Sequence, residues 1–420
     1  MRERALTEDA ADPILHKALE EYSSQPQVRD LVDAVRRYSS APLTSGNRVS
    51  VLVDGPQTFS SIESELRKAR HHIHVETFIF SNKGIGEKFA QILVEKRKQG
   101  VEVRVLYDSV GSLDTPRSFF DELRSQGIEV REYHPVNPIK NPAVWEIQNR
   151  DHRKIVIVDG RIGYTGGINI DNTYSSSSSS HPGPKRGIED GWRDTHVRIE
   201  GPVVKQLQDL FFQSWNKAGD PVQAVDTAAY YPTIPAAGDA LVTIAHNDSD
   251  SDDRSLYGTF LAAFTHASTR LWITHAYFVP NEELLKALKE AAQRGVDVRI
   301  ILPAFTDSTI VLKGTQATYS ELLKSGVHLY ELKDALLHAK TVTIDGTVSI
   351  VGSANLDMRS FVHNDEDNAI IVSHDFASRM EEVFRHDQQN SRAVDLARWE
   401  QRSWWQRVKE FSVKLFGYWI

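Results

Sequence analysis

The chain states one passage twice, and this repetition restricts the available folds more than any other feature. ARHHIHVETFIF (69–80), GVEVRVLYD (100–108) and HRKIVIVDGRIGYTGGIN (152–169) return in the same order as ASTRLWITHAYF (267–278), GVDVRIILP (295–303) and HAKTVTIDGTVSIVGSAN (338–355). Between the first two β-rich runs of each copy lies a helical segment, GEKFAQILVEKRKQG or EELLKALKEAAQRG, that ends on glycine, the common C-terminal cap. Each copy is therefore a β-α-β unit, which predicts parallel strands joined by a right-handed crossover.

The repeat divides the chain into an N-terminal helical segment (1–45), a first half (46–217), a linker rich in Pro, Ala and Gly (218–240), a second half (241–395) and an amphipathic C-terminal helix (396–420). SSSSSSHPGPKRG (175–187) cannot build a core and reads as a mobile loop, or alternatively as a flap over the site. With 420 residues, 40% hydrophobic and 25% charged, the chain is long enough for two ordinary domains. A net charge of −8 argues against a protein that coats nucleic acid, because phosphate-backbone binding needs a basic surface. The absence of cysteine removes thiolate metal sites and disulfides.

The repeated motif carries the chemistry. Alternation along a strand turns His152 and Lys154 to one face, and likewise His338 and Lys340. Asp159-Gly160 and Asp345-Gly346 predict tight hairpins, each leading to a second strand that ends at Asn169 or Asn355. Asp159 and Asp345 are candidates for orienting the site, with turn geometry as the competing explanation. A phosphodiester suits two histidines, two lysines and two asparagines. Cations and amide donors hold the charge of the transition state, one neutral imidazole attacks phosphorus, and a protonated one serves the leaving alkoxide. Zinc is a poor fit, since a lysine beside each histidine repels a cation.

At these residues the sequence resembles the phospholipase D superfamily, whose mark is H-x-K-x4-D-x6-G-[GS]-x-N, and both copies match it without gaps. Within the superfamily it is similar to the bacterial cardiolipin synthases, from GNRVSVLVDG (46–55) to NDEDNAIIV (364–372), by way of VETFIF, VRVLYDSVGS, WRDTHVRIEGP (192–202), HAYFVPNEELLKAL and GSANLDMRS. The resemblance implies an α/β fold of two pseudo-symmetric phospholipase D-like α-β-α sandwich lobes, with mixed, largely parallel sheets, packed face to face around one site without a cofactor or metal. It implies His152 as nucleophile and His338 as acid and then base, the reverse being the alternative. Lys154, Lys340, Asn169 and Asn355 would hold phosphate oxygens. Glu366 would orient a histidine from behind, and Asp194 of WRD would do so in the other half. The family usually reads Leu-Asn-Phe-Glu where this chain has His363-Asn364-Asp365-Glu366, which reduces the apolar character there and bears on substrate fit.

The first residues, MRERALTEDA, show no apolar signal core, and no apolar run reaches the roughly 18 to 20 residues of a spanning helix. The expectation is a cytoplasmic protein held peripherally at the inner face of the cell membrane, similar to the shorter cardiolipin synthases that start without transmembrane helices. In RSWWQRVKEFSVKLFGYWI (402–420), Trp404, Val408, Phe411, Leu415 and Trp419 recur at helical spacing among Arg402, Arg407, Lys409 and Lys414, a pattern suited to an anionic membrane surface or to packing on the protein itself. The functional expectation is transfer of a phosphatidyl group from phosphatidylglycerol to a second phosphatidylglycerol. Hydrolysis to phosphatidic acid and a nuclease activity are the alternatives, and no nucleic-acid partner is expected. The oligomeric state is left open.

Overall fold

Each β-α-β unit rests on strands covered on both faces, even where, as with His72, His74 and Glu76, one face is polar. In the computed structural model, which describes residue 20 and residues 26–39, 41–136, 148–178, 191–221, 229–251 and 253–402, His72–Thr77 is buried at every position. It pairs in parallel with Glu102–Asp108 after the crossover helix Ile85–Lys98. Arg270–His275 pairs likewise with Asp297–Pro303 after Glu282–Gln293. Continuous burial of this kind is the mark of strands with helices on both sides.

The hairpins follow from the two Asp-Gly pairs. Asp159 and Gly160 have φ of 53° and 63°, Asp345 and Gly346 have 52° and 63°, and the i+3 amides of Arg161 and Thr347 close the turns on Val158 and Ile344 at 3.0 Å. Two consecutive left-handed residues define the turn whose twist matches antiparallel strands. Lys154–Val158 accordingly returns as Ile162–Gly166, and Lys340–Ile344 as Val348–Gly352.

Among the described residues sixteen strands form one mixed sheet. Its two halves join edge to edge: Ala240–Asn247 pairs antiparallel with Thr44–Val53 on one side and with Asn364–Val372 on the other. The join makes the sheet continuous from one lobe to the other and pairs inner edge strands that would otherwise leave their amides unpaired. The mixed sheet is present, but parallel pairing is mainly confined to the β-α-β units, and the hairpins and the join are antiparallel. The halves also touch where Thr165 donates to Asp367 at 2.5 Å.

The helix Pro26–Tyr38 places Val28, Leu31, Val32 and Val35 in one core cluster with Tyr257, Phe260 and Phe264 of the second half. Residues 222–228 of the linker lie outside the described residues, but Tyr230 beyond them is buried against His72 and His74 and donates to Glu102 at 2.8 Å. Most of the serine-rich stretch (179–187) and of the aromatic C-terminal segment (403–420) also lies outside them. Before the latter, Leu396–Glu400 is a short helix whose Trp399 packs on Tyr319, ring centres 4.7 Å apart. Among the described residues no helix is long and apolar enough to cross a membrane.

Candidate active site

Both motif histidines sit just ahead of their strands instead of on them, because the chain there is borrowed by the opposite half. Arg150–Asp151 pairs in parallel with Asn364–Asp365, and the His152 amide donates to the Asp365 carbonyl at 2.9 Å. In the mirror arrangement Leu337 bridges Arg193, and the His338 amide donates to the Arg193 carbonyl at 2.8 Å. Each histidine is thereby delivered to the acidic residue that follows in the other half.

His152 Nδ1 lies 3.0 Å from both carboxylate oxygens of Glu366, and His338 Nδ1 lies 2.7 Å from Asp194 Oδ2. Both carboxylates are fully buried. A carboxylate at Nδ1 fixes the tautomer with the proton there and leaves Nε2 for chemistry. Burial pushes His152 down to about 4, against the pull of Glu366. His338 is lowered by burial and then by the Lys340 charge, against Asp194. Burial by itself would raise Glu366, yet His152 and then Lys154 and the Ser353 hydroxyl hold it at about 2; Asp194 is likewise held low by His338 and Lys340.

Lys154 and Lys340 are buried and turn their ammonium groups back to the carbonyls of His152 and His338. Lys340 Nζ also stands 3.0 Å from His338 Nδ1. Desolvation lowers Lys154 to about 7, with Lys340 pushing in the same direction, and it lowers Lys340 as well. Lys340 acts on His152 and Lys154 acts on His338, so the two motifs share one electrostatic neighbourhood. Two buried cations this close are costly to hold charged, and an anionic phosphate between them would relieve that cost.

The asparagines close the set. Asn169 accepts from the Ile79 amide at 3.3 Å, and the buried Asn355 carbonyl oxygen has no hydrogen-bond partner among the described residues. Aromatic rings surround the imidazoles: Phe78 lies 5.1 Å from His152, and Trp192, Tyr174 and Tyr277 lie 5.3, 6.1 and 6.3 Å from His338. The Tyr174 hydroxyl is 3.0 Å from His338 Nδ1.

Of the residues singled out from the sequence, eight are brought together: His152, Lys154, Asn169, Asp194, His338, Lys340, Asn355 and Glu366. Asp159 and Asp345 are not, and an orienting role for them is corrected. They stand at the far end of their strands, five residues or roughly 16 Å from the lysines, where they accept from the backbone amides of Arg70, His71 and His72 and of Ser268, Thr269 and Arg270. The turn geometry, together with this anchoring of the neighbouring strand, accounts for both.

Asp365, one of the two departures from the family pattern, faces away from Glu366 along its strand. Its carboxylate accepts from Tyr133 at 2.8 Å and pairs with Lys217 at 3.1 Å, so its charge is spent below the site and not on the substrate side.

Sequence reading missed the residues that hold the carboxylates. Ser353, Ser360 and Asn364 donate to Glu366 at 2.5, 2.8 and 3.2 Å. Ser353 occupies the second position of the Gly-[GS] pair, where the first half has Gly167. A Cβ on Gly167 would stand 2.2 Å from Asp194 Oδ1, so the smaller residue leaves room for the shorter acid. That Gly/Ser alternation was the available signal. Tyr174 carried none beyond lying close to the first motif, and Trp192 carried only its place in WRDTHVRIEGP.

A protein-family model described as "Cardiolipin synthase, PLD-like domain" matches residues 62–180 and 260–388. The chain is 35% identical over 402 residues to a cardiolipin synthase of Geobacillus kaustophilus, covering 95% of this chain and 78% of that one. It is 33% identical over 398 residues to a cardiolipin synthase of Listeria monocytogenes, covering 94% and 80%. Among solved structures, the phosphatidylserine synthase of Haemophilus influenzae superposes with a TM-score of 0.70 at 13% identity, covering 94% of this chain and all of that one, which is a likeness of fold. With the matched segments spanning more than half of its length and both motifs complete, this chain belongs to the phospholipase D-like cardiolipin synthase family.

Proposed function

We propose that the chain is a cardiolipin synthase, a phosphatidyltransferase that moves a phosphatidyl group from one phosphatidylglycerol to another through a phosphohistidine. The observation that carries this reading is the pair of imidazoles, each held at Nδ1 by a buried carboxylate of the opposite half. His152 Nε2 attacks phosphorus, a P–N bond forms, and the P–O bond to the head-group glycerol breaks while His338 Nε2 gives that oxygen its proton. Glycerol departs. A second phosphatidylglycerol enters, His338 takes the proton of its glycerol hydroxyl, and that oxygen displaces His152 from phosphorus to give cardiolipin.

Lys154, Lys340, Asn169 and Asn355 supply the positive charge and amide donors for the non-bridging oxygens, fixed in place before charge builds up. The choice between a second lipid and water rests on how well the site excludes water from the phosphohistidine; the surrounding Phe78, Tyr174, Trp192 and Tyr277 favour the lipid. The reading includes peripheral attachment at the inner face of the cell membrane, supported by the lipid substrate and by the basic, aromatic pattern of residues 402–420.

Incubation with phosphatidylglycerol vesicles and separation of the products tests the reading. Cardiolipin and glycerol are expected, insensitive to chelator. Phosphatidic acid would make the chain a hydrolase, and cleavage of an oligonucleotide without lipid turnover would make it a nuclease.

A further inference from the structure

Two large apolar side chains stand exposed among the described residues, Leu113 at 69% and Ile310 at 57%. Single exposed apolar residues are ordinary, but the placement of these two is not. Each follows the second parallel strand of its half: Leu113 lies in the turn after Glu102–Asp108, and Ile310 opens the helix Thr309–Lys324 after Asp297–Pro303. The carboxyl ends of parallel strands are where α/β folds place their sites.

Each segment is also tied to a ring that borders a motif histidine. Ser112 receives the Phe80 amide at 3.1 Å and donates to the Phe78 carbonyl at 3.2 Å, and Phe78 is the ring beside His152. Asp307 accepts from the Tyr277 hydroxyl at 2.6 Å, and Tyr277 is a ring beside His338. Both segments are held firmly. Asp108 receives the amides of Val110 and Gly111 at 2.8 and 3.0 Å, and the Ser308 side chain caps the helix that carries Ile310. The exposure therefore belongs to the fold. Exposed Lys83, Arg117 and Arg359 lie on the adjoining segments, alongside the exposed acids Glu87, Asp114, Asp121 and Asp307.

We propose that Leu113 and Ile310, one from each half, seat the mouth of the site on the surface of a phospholipid bilayer. The choice of a bilayer rests on the lipid substrate of the proposed function. An apolar tip on each side of a phosphate-binding cleft, with cations beside it, lets the tips enter the interface while the head group rises to the histidines.

The test uses the full chain and the double variant Leu113→Ser/Ile310→Ser, with urea unfolding to show that stability is kept. Sedimentation with phosphatidylglycerol/phosphatidylethanolamine vesicles should weaken roughly tenfold, and turnover in vesicles should fall with it. Turnover of a short-chain, monomeric phosphatidylglycerol should stay unchanged. Unaltered vesicle binding overturns the proposal, as does an equal loss on the short-chain substrate, or dissociation of a dimer by the double variant. If the unaltered chain turns over neither substrate, the proposed function fails, while the sedimentation comparison still decides the docking surface.

Discussion

Beneath His152 lies a buried ionic cluster, and beneath His338 an apolar one. The residue between histidine and lysine is Arg153 in the first motif, where the guanidinium donates to Ser214 at 2.7 Å, to the Asn247 carbonyl at 2.6 Å and to the Glu366 carbonyl at 3.4 Å. Around it are the buried acids Glu76, Asp151, Asp365 and Asp367. The same position in the second motif is Ala339, which packs with Trp272, Ile301, Leu332, Leu337 and Phe384. The carboxylates differ in the same direction: Glu366 has three side-chain donors besides His152, whereas Asp194 takes the Thr195 amide at 2.7 Å.

The difference teaches that the histidine, lysine and asparagine set offered to the proposed phosphate is duplicated and what stands behind it is not. Two identical histidines could not divide the work, since one must be neutral when the other carries the proton.

The sharpest way to break the comparison is to remove each histidine in turn. His152→Ala and His338→Ala should each lower kcat on phosphatidylglycerol by about 10⁴-fold or more. With a phosphatidyl ester of p-nitrophenol, whose leaving group needs no proton, His338→Ala should keep a first-turnover burst and His152→Ala should lose it. The opposite pattern would exchange the two roles. Next in size, Glu366→Gln and Asp194→Asn should cost about 10³-fold in kcat, with the larger loss at Glu366, whose donors an amide cannot satisfy together with His152.

Arg153→Met should destabilise the fold by about 3–5 kcal/mol in urea unfolding, because the surrounding acids lose their counter-charge. Ala339→Gly at the matching position should cost about 1 kcal/mol. An equal cost at both would show that the first motif does not depend on its ionic support. The Gly/Ser exchange is smaller. Gly167→Ser should reduce kcat about a hundredfold by displacing Asp194, and Ser353→Gly about tenfold by removing one donor.

The smallest effect is in pH. His152 is held below its ordinary value, so it is neutral above its pKa, and kcat/KM should decline as pH falls through about 4. A bound phosphate favours imidazolium, so the acid limb of kcat should lie at higher pH than that of kcat/KM. Coincident limbs would contradict an anion seated against the ring.

Much of this was legible in the residues themselves. The β-α-β units, the Asp-Gly hairpins and six of the eight converging residues follow from repetition, glycine placement and a motif of fixed spacing, while Asp194 and Glu366, outside both copies of the motif, were implied only by the family resemblance. Asp159 and Asp345 show where motif reading overreached: their place in the pattern records a turn and three backbone amides, and only the fold separates that from chemistry.

What the sequence determined by itself is local: which runs are strands, where the chain reverses, and which residue types are offered twice. Such features are settled within a few residues by backbone sterics and apolar periodicity. The tertiary structure alone decided that each histidine takes its carboxylate from the other half. Glu366 is 214 positions from His152, and Asp194 is 144 from His338. Pairings across that distance are set by how the sheet edges join and which faces they bury, and no spacing along the chain records that outcome.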